Sequence, residues 1–267
     1  MDKRPVLFLD SGIGGIPYCR HFYRRNPKET IYYLADRENF PYGPRTREEV
    51  AAILTALMEK LIKTVNPKIA VLACNAATVS ALAELRQRFP DLPLVGTVPA
   101  IKPAMMACKT GKVGVLGTRR TVEDPYIRQL AGSACEVVGI AAPDLVDFVE
   151  RRFATAGESE KIKIVREYVG RFRAAGTDTL VLGCTHFLFL LEEFHREAAP
   201  GIKIFESTDG ITRRIESLLD DNGGALRAEN SAAVQNRFLI TGAHPADSSW
   251  ENWAGYLGFR LSLLDET

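Results

Sequence analysis

Short apolar runs alternate with helical patterns along most of the chain. Four such runs precede residue 100 and four follow it, and several are rich in β-branched residues. This alternation predicts parallel strands joined by crossover helices, which is the α/β class. The predicted strands are VLFL from Val6, IYYLA from Ile31, IAVLA from Ile69, PLVG from Pro93, VGVLG from Val113, EVVGI from Glu136, TLVLG from Thr179 and IKIFE from Ile202.

The spacing of these strands indicates a duplication. Their starts are 25, 38 and 24 residues apart in the first set and 23, 43 and 23 residues apart in the second. The third strand of each set runs directly into a cysteine, Cys74 in the first half and Cys184 in the second. We therefore expect two similar domains related by pseudo-twofold symmetry, each a mostly parallel sheet flanked by helices, with the site in the cleft between them.

The helical patterns and the tail extend this prediction to domain boundaries. Thr46 and Glu49 stand in capping-box spacing at the start of the first long pattern. The polar segment 220–232 is typical of a surface loop, while RFLITG and the aromatic WENWAGYLG after it are predicted to return to the first half. The predicted helices span 46–65, 159–175 and 209–221, and the predicted domains are 1–98 plus 209–267 (discontinuous) and 99–208.

Composition excludes several classes of partner. The chain of 267 residues is 46% hydrophobic and 25% charged, as in ordinary globular proteins. Its 34 basic and 33 acidic residues create no overall field that attracts nucleic acid or an anionic membrane. Neither a signal-peptide core nor a bilayer-spanning apolar stretch is present, so we expect a cytoplasmic protein with no nucleic-acid or membrane partner.

The five cysteines form no CxxC pair, which favours free thiols. A single cysteine is usually a small buried hydrophobe, but Cys74 and Cys184 stand where ligands bind in parallel sheets, just beyond a strand end. Helix N-termini stabilise thiolates, and the segment after Cys74 reads as the start of a helix. His186 follows Cys184 by two residues, so its imidazole shares a face with the thiol if strand geometry persists.

The other strand ends predict a small polar ligand. DSGIGG after the first strand brings Asp10 and a glycine-rich turn, and PYG at 41–43 forms a turn after the second. Asn75 and the hydroxyls of Thr118 and Thr121 suit a zwitterionic or dicarboxylic ligand, and no nucleotide-binding pattern is present. Two equivalent thiols favour proton transfer over nucleophilic attack, because inverting a carbon centre without a redox cofactor needs an acid on one face and a base on the other.

At these positions the sequence resembles the glutamate racemase family of cofactor-independent amino-acid racemases. The resemblance rests on DSGIGG, ADRENFPYG, ACNAATVSAL, GTRRT and LGCTH in this order, with a similar ITGAHP…LGF tail, and it covers nearly the whole chain. It implies interconversion of L- and D-glutamate for peptidoglycan, by a two-base mechanism without cofactor or metal, often in a homodimer.

The resemblance also implies roles for individual residues. Cys184 is the acid/base for the L-isomer and Cys74 for the D-isomer, assisted by His186 and Asp10 respectively, with Glu150 as an additional carboxylate near the second thiol. The substrate-binding positions implied are Ser11, Pro41, Tyr42, Gly43, Asn75, Ala76, Thr118, Thr121 and Thr185.

One position departs from the family pattern. Ala76 stands where the family usually has threonine, which removes a hydroxyl expected near a substrate carboxylate. Loss of a hydrogen bond to a charged group costs about 1.5–3 kcal/mol if nothing replaces it. The departure bears on affinity and on the choice between glutamate and another acid, and not on the proton chemistry.

Three alternatives stay open: a racemase of aspartate or another amino acid, a Cys-His hydrolase built on Cys184, His186 and a carboxylate, and a non-catalytic two-lobed binding protein.

Overall fold

A computed structural model describes residues 2–132, 135–228, 235–242 and 248–266. The chain divides into two compact units: the first is Met1–Thr97 with Thr208–Thr267, and the second is Val98–Ser207. The strands are β1 Val6–Asp10, β2 Ile31–Ala35, β3 Ile69–Leu72, β4 Leu94–Gly96, β5 Lys112–Gly117, β6 Glu136–Ala141, β7 Thr179–Gly183, β8 Lys203–Phe205, β9 Arg237–Ile240 and β10 Arg260–Leu263.

Helices connect nearly all of these strands. They are α1 Ile16–Arg25, α2 Arg47–Thr64, α3 Asn75–Arg88, α4 Ile101–Ala107, α5 Arg119–Glu123, α6 Pro125–Ala131, α7 Pro143–Arg151, α8 Glu158–Ala174, α9 Leu191–Ala198, α10 Thr208–Gly224 and α11 Ser248–Leu257. Short 3-10 helices cover Arg37–Asn39, Thr185–Leu190 and Leu264–Glu266. In the described part of the chain, no helix has the length and apolar character needed to cross a membrane.

The two sheets confirm the predicted α/β class. The first has the order β10-β9-β2-β1-β3-β4 and the second β6-β5-β7-β8, and all their strand pairs are parallel. The order β2-β1-β3-β4 within the first sheet corresponds to β6-β5-β7-β8 in the second. In both sheets the second strand of the half is therefore next to the first, followed by the third and the fourth. The two units therefore share a strand order as well as strand spacings, which supports the predicted duplication.

The central strands of the first sheet, β1 and β3, are fully buried. All five residues of β1 and all four of β3 are buried, which explains why these strands read as continuous apolar runs. The helix α2 packs Leu54, Met58 and Leu61 into the core on this side. Its predicted capping box is confirmed: Glu49 N donates to Thr46 Oγ1 at 3.1 Å, and Thr46 N donates to Glu49 Oε2 at 2.8 Å.

The C-terminal part of the first unit differs from the prediction in two places. The predicted loop at 220–232 is wrong at its start, because α10 continues to Gly224, while 229–232 lie outside the described residues. Ile215 and Leu219 are fully buried on the inner face of α10, so the helix continues past the point where its sequence turns polar. It ends at Gly224, whose φ of +79° suits a helix C-terminus.

The C-terminal segment adds two strands to the first sheet, one more than predicted. The predicted return of RFLITG to the first half is confirmed, since β9 pairs with β2 and places Phe238 opposite Tyr33. The strand β10 extends the sheet beyond β9 and was not predicted. The GAHP part of the tail motif lies mostly at 243–247, outside the described residues.

Candidate active site

In the first unit, three functional side chains follow three adjacent strands. Asp10 ends β1, Asp36 directly follows β2, and Cys74 lies two residues after β3. Because β1 lies between β2 and β3 in a parallel sheet, all three side chains stand at the same edge. This carboxyl edge is where ligands bind in open α/β sheets.

The glycine-rich turn after β1 orients Asp10. This carboxyl is fully buried, and its Oδ1 accepts a hydrogen bond from Gly12 N at 2.8 Å. Gly12 O in turn accepts from the Tyr33 hydroxyl at 2.8 Å. A Cβ on Gly15 would lie 2.7 Å from the Cβ of Ala73 and 3.2 Å from that of Asp10, so only glycine fits there. The turn therefore serves close packing as well as the position of the carboxylate.

Cys74 is the N-cap residue of α3, which confirms the predicted helix directly after this cysteine. Its backbone is extended and its side chain is 7% exposed. The next residue, Asn75, is buried, yet neither its side-chain oxygen nor its side-chain nitrogen has a hydrogen-bond partner among the residues that the structure describes. Buried amides are normally paired. Asn75 is therefore placed to bind a polar group of a ligand beside the thiol.

Asp36 organises a buried network that sequence reasoning missed. Its carboxylate accepts hydrogen bonds from the Tyr42 hydroxyl at 2.5 Å, from Thr241 Oγ1 at 2.7 Å, and from Asn39 Nδ2 at 3.0 and 3.1 Å. The signal was present, since Asp36 directly follows a buried strand just as Asp10 closes one. Thr241 directly follows β9, so the C-terminal part of the chain completes this network.

The Tyr42 side chain links this network to the thiol. Burial raises the pKa of Tyr42 well above its usual value, and the nearby Asp36, Cys74 and Asp10 raise it further. The phenol therefore stays protonated and donates to Asp36. The turn in this segment runs from Tyr42 to Arg45, whose N donates to Tyr42 O at 3.1 Å, and Pro41 is exposed in front of it. Substrate binding by Pro41, Tyr42 and Gly43 stays a prediction.

In the second unit, a cysteine, a histidine and a glutamate form a hydrogen-bonded chain. The Cys184 Sγ lies 3.7 Å from His186 Nδ1, and His186 Nε2 lies 2.6 Å from Glu150 Oε1. The strand β7 ends at Gly183, and a 3-10 helix starts at Thr185. The thiol and imidazole thus come together through the first turn of that 3-10 helix, and the extended geometry considered from the sequence does not persist.

The environment of His186 favours its charged form. Burial alone acts to lower the pKa of His186, but its hydrogen bonds to Cys184 and Glu150 raise that pKa well above its usual value. At neutral pH the ring is therefore an imidazolium that donates from both nitrogens. The positive charge of this ring lies beside the Cys184 Sγ.

The remaining predicted residues of the second unit stand at the same sheet edge. Gly117 of β5 pairs in register with Gly183 of β7, so Thr118 and Cys184 follow neighbouring strands. Thr118 Oγ1 accepts from Thr121 N at 3.2 Å and lies 3.1 Å from Thr121 Oγ1.

Burial separates the predicted residues into three groups. The buried ones are Asp10, Ser11, Tyr42, Cys74, Asn75, Ala76, Thr121, Cys184, Thr185 and His186; Gly43, Thr118 and Glu150 are half-buried, and Pro41 is exposed. Ala76 packs in the same core cluster as Cys74. Among the described residues, no three His, Cys, Asp or Glu side chains are grouped so as to hold a metal ion.

Comparison with known proteins places this chain and its fold in a class. The chain belongs to the Asp/Glu/Hydantoin racemase family, whose model matches residues 20–215. Among its relatives, the glutamate racemase of Corynebacterium diphtheriae is 39% identical over 91% of this chain and 90% of its own. The glutamate racemase of Sphingopyxis alaskensis is 37% identical over 87% of this chain and 88% of its own. The solved Escherichia coli glutamate racemase, in complex with L-glutamate and the activator UDP-MurNAc-Ala, is 29% identical, covers 97% of both chains and has a TM-score of 0.83.

Proposed function

We propose that this protein is a glutamate racemase that interconverts L- and D-glutamate by proton transfer between Cα and two thiols. The observation that carries the proposal is the equivalent position of Cys74 and Cys184, each just beyond the third strand of a sheet with the same strand order. The glutamate racemases among its relatives, one of them solved with L-glutamate, support the choice of substrate.

Each thiol has the partners that its proposed role needs. In the L-to-D direction Cys184, whose Sγ lies 3.7 Å from His186 Nδ1, is the base that removes the α-proton of L-glutamate. The Cys74 thiol then donates a proton to the opposite face of the carbanion, which gives D-glutamate and leaves Cys74 as a thiolate next to Asp10. The reverse reaction exchanges these roles, and every step is a proton transfer between protein and substrate.

Polar groups at the two sheet edges supply the binding energy. The unpaired amide of Asn75 and the hydroxyls of Thr118, Thr121 and Thr185 bind the substrate's ammonium and carboxylate groups. Hydrogen bonds to the α-carboxylate stabilise the negative charge that develops as the α-proton leaves. The backbone amide of Ala76 remains as a donor where the family's threonine hydroxyl is missing. We propose further that the product serves peptidoglycan synthesis and that the protein acts as a cytoplasmic homodimer.

A Cys-His hydrolase is the second candidate, because Cys184, His186 and Glu150 are connected in the manner of a catalytic triad. A hydrolase of that kind uses one nucleophile. It leaves Cys74 and the unpaired Asn75 without a role, which is why we favour the racemase. Release of an acid from a peptide or amide substrate by a Cys74→Ser variant would support the hydrolase.

Racemisation is tested directly by circular dichroism of L- and D-glutamate with the purified protein. We expect the signal to decay to zero from both isomers, with deuterium entering at Cα when the solvent is heavy water. L-Aspartate is the matched control for substrate choice, because it is one methylene shorter. Exchange on aspartate with none on glutamate would contradict the proposed substrate, and exchange on neither would contradict the racemase itself.

Glu150 is a positioning residue that acts through His186, and Glu150→Gln tests this role. The carboxylate of Glu150 helps to raise the pKa of His186. Its replacement by the uncharged amide of glutamine therefore lowers that pKa, and the imidazolium deprotonates at a lower pH. We expect turnover of L-glutamate to fall by about 10- to 100-fold, the effect of losing one hydrogen bond to a charged group. The high-pH limb of the rate profile should move to lower pH, measured as kcat against pH in both directions.

A structural role for Glu150 would give a different result. It would lower the melting temperature and leave the pH profile in place. Glu158→Gln, which removes an exposed carboxylate paired with Arg196 in the same unit, is the matched control and should leave both the rate and the profile unchanged.

A further inference from the structure

Two thiols outside the candidate site lie side by side in the second unit. Cys108 directly follows α4, and Cys135 directly precedes β6. Their side chains are neighbours, since the Cys108 thiol helps to raise the pKa of Cys135, although the whole of β5, α5 and α6 separates them in the chain. Both are partly exposed, whereas Cys19, Cys74 and Cys184 are buried. These two thiols, which we call the surface pair, are therefore open to small reagents.

The sheet itself brings the surface pair together. The Cys108 Sγ donates to Lys112 O at 3.5 Å, and Lys112 of β5 is the register partner of Glu136 of β6. Glu136 N donates to Gly111 O at 2.8 Å, which fixes the backbone just beyond Cys135. Both cysteines also pack against one apolar cluster. Strand register thus holds the backbones of the two cysteines near each other.

A carboxylate completes the environment of the surface pair. Asp178 accepts hydrogen bonds from Lys109 N at 2.7 Å and from Thr110 Oγ1 at 3.2 Å, on the chain segment that directly follows Cys108. Partial desolvation, the neighbouring Cys108 and the charge of Asp178 raise the pKa of Cys135. At neutral pH Cys135 is therefore a protonated thiol, and oxidation of the pair is expected to accelerate as pH rises.

We propose that Cys108 and Cys135 form a reversible disulfide on reaction with a low-molecular-weight disulfide of the glutathione type. The Cys108 thiolate attacks one sulfur of the reagent, whose S–S bond breaks and releases one thiol after protonation. Cys135 then loses its proton and attacks Cys108 Sγ, which breaks the mixed disulfide and releases the second thiol. Two protein thiols are oxidised, and one small disulfide is reduced to two thiols.

This disulfide has a structural consequence that is independent of the proposed racemase activity. It closes a loop that contains β5, α5 and α6, and so it restricts the unfolded chain of the second unit. Cross-links of this loop size raise the melting temperature by an amount on the order of 10 °C.

The test treats the full-length protein with oxidised glutathione at about pH 8, alkylates the remaining thiols, and maps the tryptic peptides by mass spectrometry. We expect one dominant cross-linked peptide pair, Cys108 with Cys135, which dithiothreitol reverses, together with the rise in melting temperature. Cys108→Ser and Cys135→Ser should each accumulate a lasting glutathione adduct on the remaining thiol, with no cross-link and no gain in melting temperature.

Two results would overturn the proposal. One is a stable glutathione adduct on either surface thiol of the unsubstituted protein, which would mean that the second thiol does not reach the first. The other is full alkylation of both cysteines after exposure to the reagent. Because the readouts are peptide masses and melting temperature, they stand whether or not the protein racemises glutamate.

Discussion

Replacing either strand-end thiol by serine is expected to abolish racemisation, with losses of about 10²–10⁴-fold in both Cys74→Ser and Cys184→Ser. A serine hydroxyl is similar in size to a thiol but far less acidic, so it neither removes the α-proton nor holds the charge at neutral pH. The measurement is the rate of decay of the circular dichroism signal from each isomer.

Isotope exchange separates the two thiols. In heavy water, Cys184→Ser should still exchange the α-proton of D-glutamate, since Cys74 remains to remove and return it, and should lose exchange on L-glutamate. Cys74→Ser should show the opposite selectivity. Cys108→Ser is the matched control because its thiol lies outside the candidate site, and its rate should equal that of the unsubstituted protein. Full racemisation by Cys74→Ser would refute the two-thiol mechanism.

The largest expected effect on stability comes from Lys68→Met. Lys68 directly precedes β3, and its side chain and that of Glu29 are 0% and 2% exposed. Its Nζ lies 2.6 Å from Glu29 Oε2 and also donates to Asp2 O at 2.9 Å and Leu226 O at 2.7 Å. Methionine fills the space of the lysine stem but leaves Glu29 charged, buried and without its cation. Breaking a buried pair in this way lowers the free energy of unfolding by about 3–5 kcal/mol.

Urea titration followed by far-ultraviolet circular dichroism measures this loss. The double variant Lys68→Met with Glu29→Gln should recover much of it, because glutamine removes the stranded charge and keeps an acceptor for Ala228 N. Lys63→Met, the same substitution at an exposed position of α2, should change the free energy of unfolding by no more than about 0.5 kcal/mol. Equal losses in the two single variants would show that burial of the ion pair contributes nothing.

Local sequence was sufficient wherever an element buries a regular pattern of side chains. All eight predicted strands are strands, and α2 begins where Thr46 and Glu49 predicted it. The prediction failed where the pattern was weak. RLSL at 260–263 is a short strand at the end of the sheet with no buried residue. The helix α10 continues into polar sequence because its inner face is packed in the core, and tertiary packing cannot be predicted from the local sequence pattern.

Some residues of the candidate site could likewise be predicted from the local sequence, and others could not. Asp10, Cys74 and Cys184 were identified from their own positions, because each stands at the end of a buried apolar run, where a parallel sheet places its functional loops. Asp36 had the same signal and was overlooked. The role of Glu150 beside the second thiol came from the resemblance alone, because this residue lies near the end of α7, far from His186 in the chain.

The sequence by itself determined the α/β class, the repeated strand spacing and the thiols that follow the third strand of each half, because burial periodicity and strand ends are local properties. The tertiary structure decided which distant groups meet: Glu150 hydrogen-bonds His186, Asp36 hydrogen-bonds Tyr42 and Thr241, and Lys68 pairs with Glu29, while Cys108 and Cys135 pack against one apolar cluster. The physical reason is that these contacts depend on strand order and register, which set distances between residues far apart in the chain.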